Sequence, residues 1–255
     1  MAAMTVGRTI GYGALAGAVA GGAGAAVQYW LVEPSIRAAI AIEDAKSAMD
    51  HADHGHMSDE VVSRSEQVGF GLLTVLVVGT LIGIAFALVR RFLGDRVPGN
   101  SATGSAMALA GLGFAAFTLA PALVIPANPP SVGDPATVNA RTLTYIVTIF
   151  CAVVLTSVVT SLARAKRLPP GLRVPAATAL AIVGSIILFW ALPDVADPIP
   201  SDVPAQLIWN FRVGSLVQIG AMWLIMGGVY GYLSDAAARV RSGVGARSSA
   251  EFASS

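Results

Sequence analysis

The sequence predicts an all-α fold: a polytopic membrane helix bundle of about six transmembrane helices. Three observations lead there. Charged residues are 12% of the 255-residue chain, AVILMFWYC are 55%, and mean hydropathy is +0.70, so there are too few charges to cover a water-facing surface. About six stretches reach the ~20 mostly apolar residues that a spanning helix needs. The loops between those stretches are alternately basic and acidic.

The first stretch runs from about Thr9 to Leu31 and is crowded with small residues. Gly13, Gly17 and Gly21 recur at every fourth position, as do Ala14, Ala18 and Gly22. Such rows let helix backbones approach closely in lipid. Packing within the bundle explains them; a functional reading makes them a docking face for a second subunit, and hence for a homo-oligomer. The opening "MAAMTVGRTIGYGALAGAVAGGAGAA" also reads as a cleaved signal peptide, with a weak basic end and small residues near its close, which would leave five spans.

The second stretch is about Val68 to Leu93, the third about Thr103 to Ile125 and the fourth about Thr142 to Ala163. The fifth is about Val174 to Leu192 and the sixth about Leu207 to Leu233, where Gly227 and Gly231 repeat the small-residue spacing more weakly. Helices satisfy their own backbone groups in the bilayer, which open strands cannot. The lone Cys151 lies in "TIFCAVVL" and reads as a small apolar residue; one cysteine allows neither an internal disulfide nor a cysteine-cluster metal site. Residues 1–240 form a single transmembrane helical domain with a His-containing loop at 34–67. Residues 241–255 are small and polar and are expected to form a disordered cytoplasmic tail.

Loop charges give the orientation. Arg8, then Arg90, Arg91 and Arg96, then Arg164, Lys166, Arg167 and Arg173, and finally Arg239, Arg241 and Arg247 all fall on one side if there are six spans. The other side carries the acidic 33–66 segment, the Pro-rich 126–137 segment, and Asp194, Asp197 and Asp202. The positive-inside rule places both termini in the cytoplasm and the 34–67 loop outside. A net charge of +1 gives no reason to expect a nucleic-acid partner; lipid is the solvent.

That outward loop holds every histidine of the chain. "MDHADHGHM" places His51, His54 and His56 within six positions, with Asp50 and Asp53 among them. Pro34 suits the first turn of a helix, and "SIRAAIAIEDAKSAMDH" has no breaker before Gly55, so the loop should begin as a short helix along the outer membrane face. On it His51 and His54 share a face, and Gly55 lets His56 fold back towards them. Imidazole with carboxylate and no thiolate suits borderline divalent metals such as cobalt, nickel or zinc. A solvated polar loop is the plainer reading.

Arg141 and Arg212 lie near the outer ends of the fourth and sixth spans. A charge there must snorkel or pair. Glu33, Glu43, Asp134 and Asp202 are the acidic candidates, and Glu33 is the expected partner of Arg212, either as a structural pair or as a gate opened by a cation. Pro126, Pro129, Pro130 and Pro135 stiffen the turn between two spans. Alternatively, Asn128 and backbone carbonyls there line an outer vestibule.

Several stretches together resemble the CbtA family, described as predicted cobalt transporter subunits. These are "LVEPSIRAAIAIED" after the small-residue first span, "LAPALVIPANPPSVGDPATVNARTLTY", and "NFRVGSLVQIGAMWLIMGGVYG". The resemblance implies a multi-pass inner-membrane protein beside a small CbtB partner, which has one span and a His-containing tail. The two would import Co(II) for cobalamin synthesis. Glu33 and Glu43 match acidic positions of the family. Five spans are often described for it, against the six counted here.

The leading expectation is therefore a membrane subunit of a divalent metal uptake transporter, with Co(II) as substrate and no organic cofactor. His51, His54, His56, Asp50 and Asp53 would capture the cation, and Glu43 and Glu33 would receive it. The alternative is a non-transporting scaffold or metal sensor that buffers metal for a partner. An enzyme is not expected, since integral-membrane oxygenases with His-x-x-His-x-His sites use more than the three histidines present. No Walker motif is found, and acids are nearly absent between the span ends, which argues against a proton-coupled relay.

Overall fold

The computed structural model describes residues 4–50, 63–130 and 132–253. Among them every regular element is helical: α1 (Val6–Val27), α2 (Glu33–Asp50), α3 (Arg64–Leu93), α4 (Ala102–Phe114), α5 (Ala120–Val124), α6 (Val138–Ala163), α7 (Pro170–Ala191) and α8 (Ala205–Ala253). Among the described residues six helical stretches are long and apolar enough to cross a membrane: Val6–Met49, Arg64–Arg96, Ala102–Val124, Pro135–Ala163, Pro170–Ala191 and Ala205–Ser242.

The first of these corrects an expectation. α2 is not a separate helix set off by Pro34; the chain passes from α1 into α2 through a π-turn, Gln28–Val32. Proline lacks an N–H and its ring crowds the carbonyl four residues back. The wider turn just before it relieves that crowding, with the Glu33 N–H donating to the Gln28 carbonyl, five residues back. The same device recurs at Ala115–Leu119 ahead of Pro121, where the Ala120 N–H donates to the Ala115 carbonyl. At the other end of the chain, α8 continues to Ala253, through a stretch expected to be a disordered tail.

The chain forms two compact units. The first comprises Met1–Ala25, Leu73–Gly111 and Gly220–Ser255. Here the glycine row of α1 lies against α3. A Cβ on Gly13 would sit 2.6 Å from Ala87 Cβ, and one on Gly79 would sit 2.7 Å from Gly21 Cα. The row expected to serve either packing or a second subunit is thus filled by α3. Ala16, Ala20, Ala87, Ala106 and Ala110 bring the helices close enough to enclose Phe86, Met226 and Tyr230. Phe86 meets Tyr230 edge to face, with ring centres 5.8 Å apart. Gly231 of α8 faces α4, where a Cβ would come within 2.5 Å of Thr103 Cα. Asp235 of α8 caps α4. It accepts the Ala102 and Thr103 N–H groups, each at 3.0 Å, and the Thr103 hydroxyl at 2.7 Å.

The second unit comprises Ala26–Leu72 and Leu112–Ile219. Its small core is Ala39, Val132, Val203, Leu207 and Ile208. α6 and α7 form a hairpin in which Leu155 packs against Gly184. Phe150, Ile186 and Trp190 point outward, with Trp190 87% exposed, as side chains facing hydrocarbon do.

Candidate functional site

The charged groups of the second unit lie at and beyond the ends of its apolar runs, and several are paired with one another. Glu33, the first residue of α2, is 4% exposed. One oxygen, Oε1, accepts from Arg37 Nε at 3.0 Å and from Arg64 Nη2 at 2.6 Å. Arg37 is one helical turn on and Arg64 opens α3. The cluster therefore carries two cations against one carboxylate, both bound through the same oxygen. Five residues towards the N-terminus, inside the π-turn, Gln28 accepts a hydrogen bond from Gln218 Nε2 at 3.1 Å. Gly71 leaves room there, since a Cβ would lie 3.4 Å from Gln28 Nε2. A buried carboxylate thus stands five residues from a hydrogen-bonded pair of amides.

Arg212 does not pair with Glu33, contrary to expectation. Its Nε donates to the Ala127 carbonyl at 3.1 Å and its Nη2 to Asn128 Oδ1 at 2.8 Å. The proline-rich segment itself supplies the acceptors, because Pro126, Pro129 and Pro130 hold the backbone out of a helix and leave its carbonyls free to accept. Asn128 is thus a ligand of Arg212.

Arg141, in the first turn of α6, pairs with Asp197, whose side chain is 1% exposed. Asp197 also accepts the Thr137 hydroxyl at 2.6 Å. That hydrogen bond, with Arg141 and nearby backbone behind it, holds the Asp197 carboxyl below the usual carboxylate range, against the opposing effect of burial. Asp134 caps the short turn Pro135–Thr137, accepting the Ala136 N–H at 2.8 Å. Gly133 has φ +146°, and a Cβ there would lie 2.6 Å from Asp197 Oδ2 and 3.1 Å from Arg141 Nη1. Both conformation and space demand glycine. Gly133→Ala should therefore lower stability by about 2 kcal/mol, read by thermal unfolding in detergent, whereas Gly171→Ala, with nothing within 4 Å, should be near neutral.

Lys46 of α2 pairs with Asp202, and its ammonium holds that carboxyl low as well. Glu43 is exposed on α2, ten residues beyond Glu33, or roughly 15 Å along the axis. The structure does not bring those two carboxylates together. Asp50 ends α2; His51, Asp53, His54 and His56 lie outside the described residues. Among the described residues no group of three or more His, Cys, Asp or Glu could hold a metal.

Sequence reading missed Arg64, Gln28, Gln218 and the role of Asp197. Gln28 and Gln218 carried a usable signal, as amides within the apolar runs "AAVQYWLV" and "SLVQIGAMW". Arg64 carried none, because nothing local links it to Glu33.

Six apolar spans and helix faces rich in exposed large hydrophobics define a multi-pass membrane protein. Residues 6–235 match the CbtA family, the probable cobalt transporter subunit, and the chain belongs to that family. No curated protein and no solved structure matches the chain significantly.

Proposed function

We propose that this protein is the membrane subunit of a Co(II) importer in which the outer loop captures the cation. His51, His54 and His56, with Asp50 and Asp53, take it from the outside. Glu43 marks the descent along α2, and Glu33 receives it at the membrane surface. The observation that carries this reading is Glu33 itself, a buried carboxylate beside a π-turn, bound on one oxygen by two arginines. Arg64 then acts as the gate: a divalent cation arriving at Glu33 displaces its guanidinium by charge repulsion and competition for the carboxylate. The Gln28 and Gln218 amide oxygens lie next along the same path. Asn128, Asp134, Arg141 and Arg212 hold the outer ends of the spans in register around it. Both termini are cytoplasmic, in the inner membrane, and a CbtB-like single-span subunit completes the transporter.

Cobalt uptake by cells expressing the chain with its partner tests the relay. Glu33→Gln should cut uptake at least about tenfold, equivalent to about 1.4 kcal/mol, with the folded protein still present in the membrane. Uptake equal to wild type would refute Glu33 as a relay. Orientation is checked in a Cys151→Ala background with Ser58→Cys. An impermeant thiol reagent should label it in intact cells; labelling only after lysis would reverse the topology.

A further inference from the structure

The first unit contains a cavity of about 210 Å³ bounded by the N-terminal part of α1, the end of α3, the start of α4 and α8. Its polar lining is Arg90, Arg91, Thr9, Tyr230 and Ser234, and no acidic side chain lines it among the described residues. Among the described residues both arginines meet neutral acceptors. Arg90 donates to the Gly94 carbonyl and to Ser105 Oγ, each at 2.8 Å, and Arg91 donates to the Met4 carbonyl. Arg90 Nε is buried with no acceptor among the described residues. The nearby carboxylate of Asp235 is occupied in capping α4. The cavity is therefore a concentration of guanidinium donors with positive charge left over.

We propose that this cavity binds a phosphate group, that of an anionic phospholipid headgroup. A guanidinium fork matches two phosphate oxygens, and Arg91, exposed and bound to the protein through Nη1, keeps Nε and Nη2 for such a pair among the described residues. Height in the bilayer favours lipid over a free ion. Arg90 and Arg91 stand where the apolar run of α3 ends, which is headgroup level. Large apolar side chains flank them on the outside of the unit, with Phe92 79% and Val6 51% exposed, as acyl chains would require. The site is independent of the proposed metal path and needs no metal.

The test uses the full chain in neutral detergent, with phosphatidylglycerol, phosphatidylcholine and inorganic phosphate titrated separately. Binding is read by native mass spectrometry and by the rise in Tm. Phosphatidylglycerol should bind and raise Tm, and phosphatidylcholine should not. Arg91→Gln, which among the described residues gives up a hydrogen bond to the Met4 carbonyl, should weaken phosphatidylglycerol at least about tenfold. Arg90→Lys, which keeps the charge but not the fork, should also weaken it, while Arg167→Gln in another basic loop should not. Saturable binding of inorganic phosphate, lost in the same variants, would keep the phosphate site and assign it to a free ion. Equal binding of the two lipids, or unchanged phosphatidylglycerol affinity in both Arg91→Gln and Arg90→Lys, would overturn the proposal.

Discussion

Replacing Gly83 with valine is expected to cost the protein about 3 kcal/mol and to lower its thermal unfolding temperature in detergent. A Cβ at this position would lie 2.5 Å from Gly17 Cα and would also meet the Gly13 carbonyl. Both obstacles are backbone atoms, which cannot swing aside as a side-chain tip can. Relief requires α1 and α3 to move apart, and with them the alanine layer around Phe86. Gly11→Val supplies the control. Gly11 is on α1, the partner helix, but has nothing within 4 Å, so its substitution should shift stability by less than about 0.5 kcal/mol. Equal losses at the two positions would show that helix propensity, not interlocking, is being measured.

Changing His51, His54 and His56 together to alanine should abolish high-affinity binding of Co(II), a drop of roughly 100-fold or more in calorimetric affinity. The wild-type protein should also bind more weakly as pH falls. Neutral imidazole is the ligand, and protons compete with the metal as pH drops through an ordinary histidine pKa of about 6.5. A triple variant that binds as wild type does would remove the capture step, and an affinity flat from pH 7.5 to 5.5 would remove imidazole as ligand.

Much of the architecture is readable from composition, and the reason is physical. Lipid imposes a length and an apolar content on each span, so hydropathy alone locates six helices close to where the structure has them. The glycine row was equally legible, because Gly13, Gly17 and Gly21 leave a groove that another backbone must fill; which helix fills it is a tertiary fact, and it is α3. The π-turns had no hydropathy signature, although a proline inside each apolar run marks where the ladder must adjust. The polar contacts were least legible. Loop charge assigns Arg212 and Glu33 to one side of the membrane, which made them natural partners to expect. Yet Arg64 reaches Glu33 from the start of α3, and Arg212 finds carbonyl and amide oxygens in the proline-rich turn. Side of the membrane is encoded in loop charge; which outer residue meets which is decided by packing.

The central claim is that Co(II) captured by the outer loop crosses the membrane through this chain. Its most direct test is inward Co(II) flux into proteoliposomes that contain a trapped fluorescent chelator and the chain with its single-span partner. The account predicts saturable quenching with the wild type, and a loss of flux at low Co(II) in the His51, His54 and His56 variant that is recovered as Co(II) is raised. Tight Co(II) binding by the wild type without any flux above empty liposomes, in either orientation, would contradict it and leave a metal-buffering scaffold in its place.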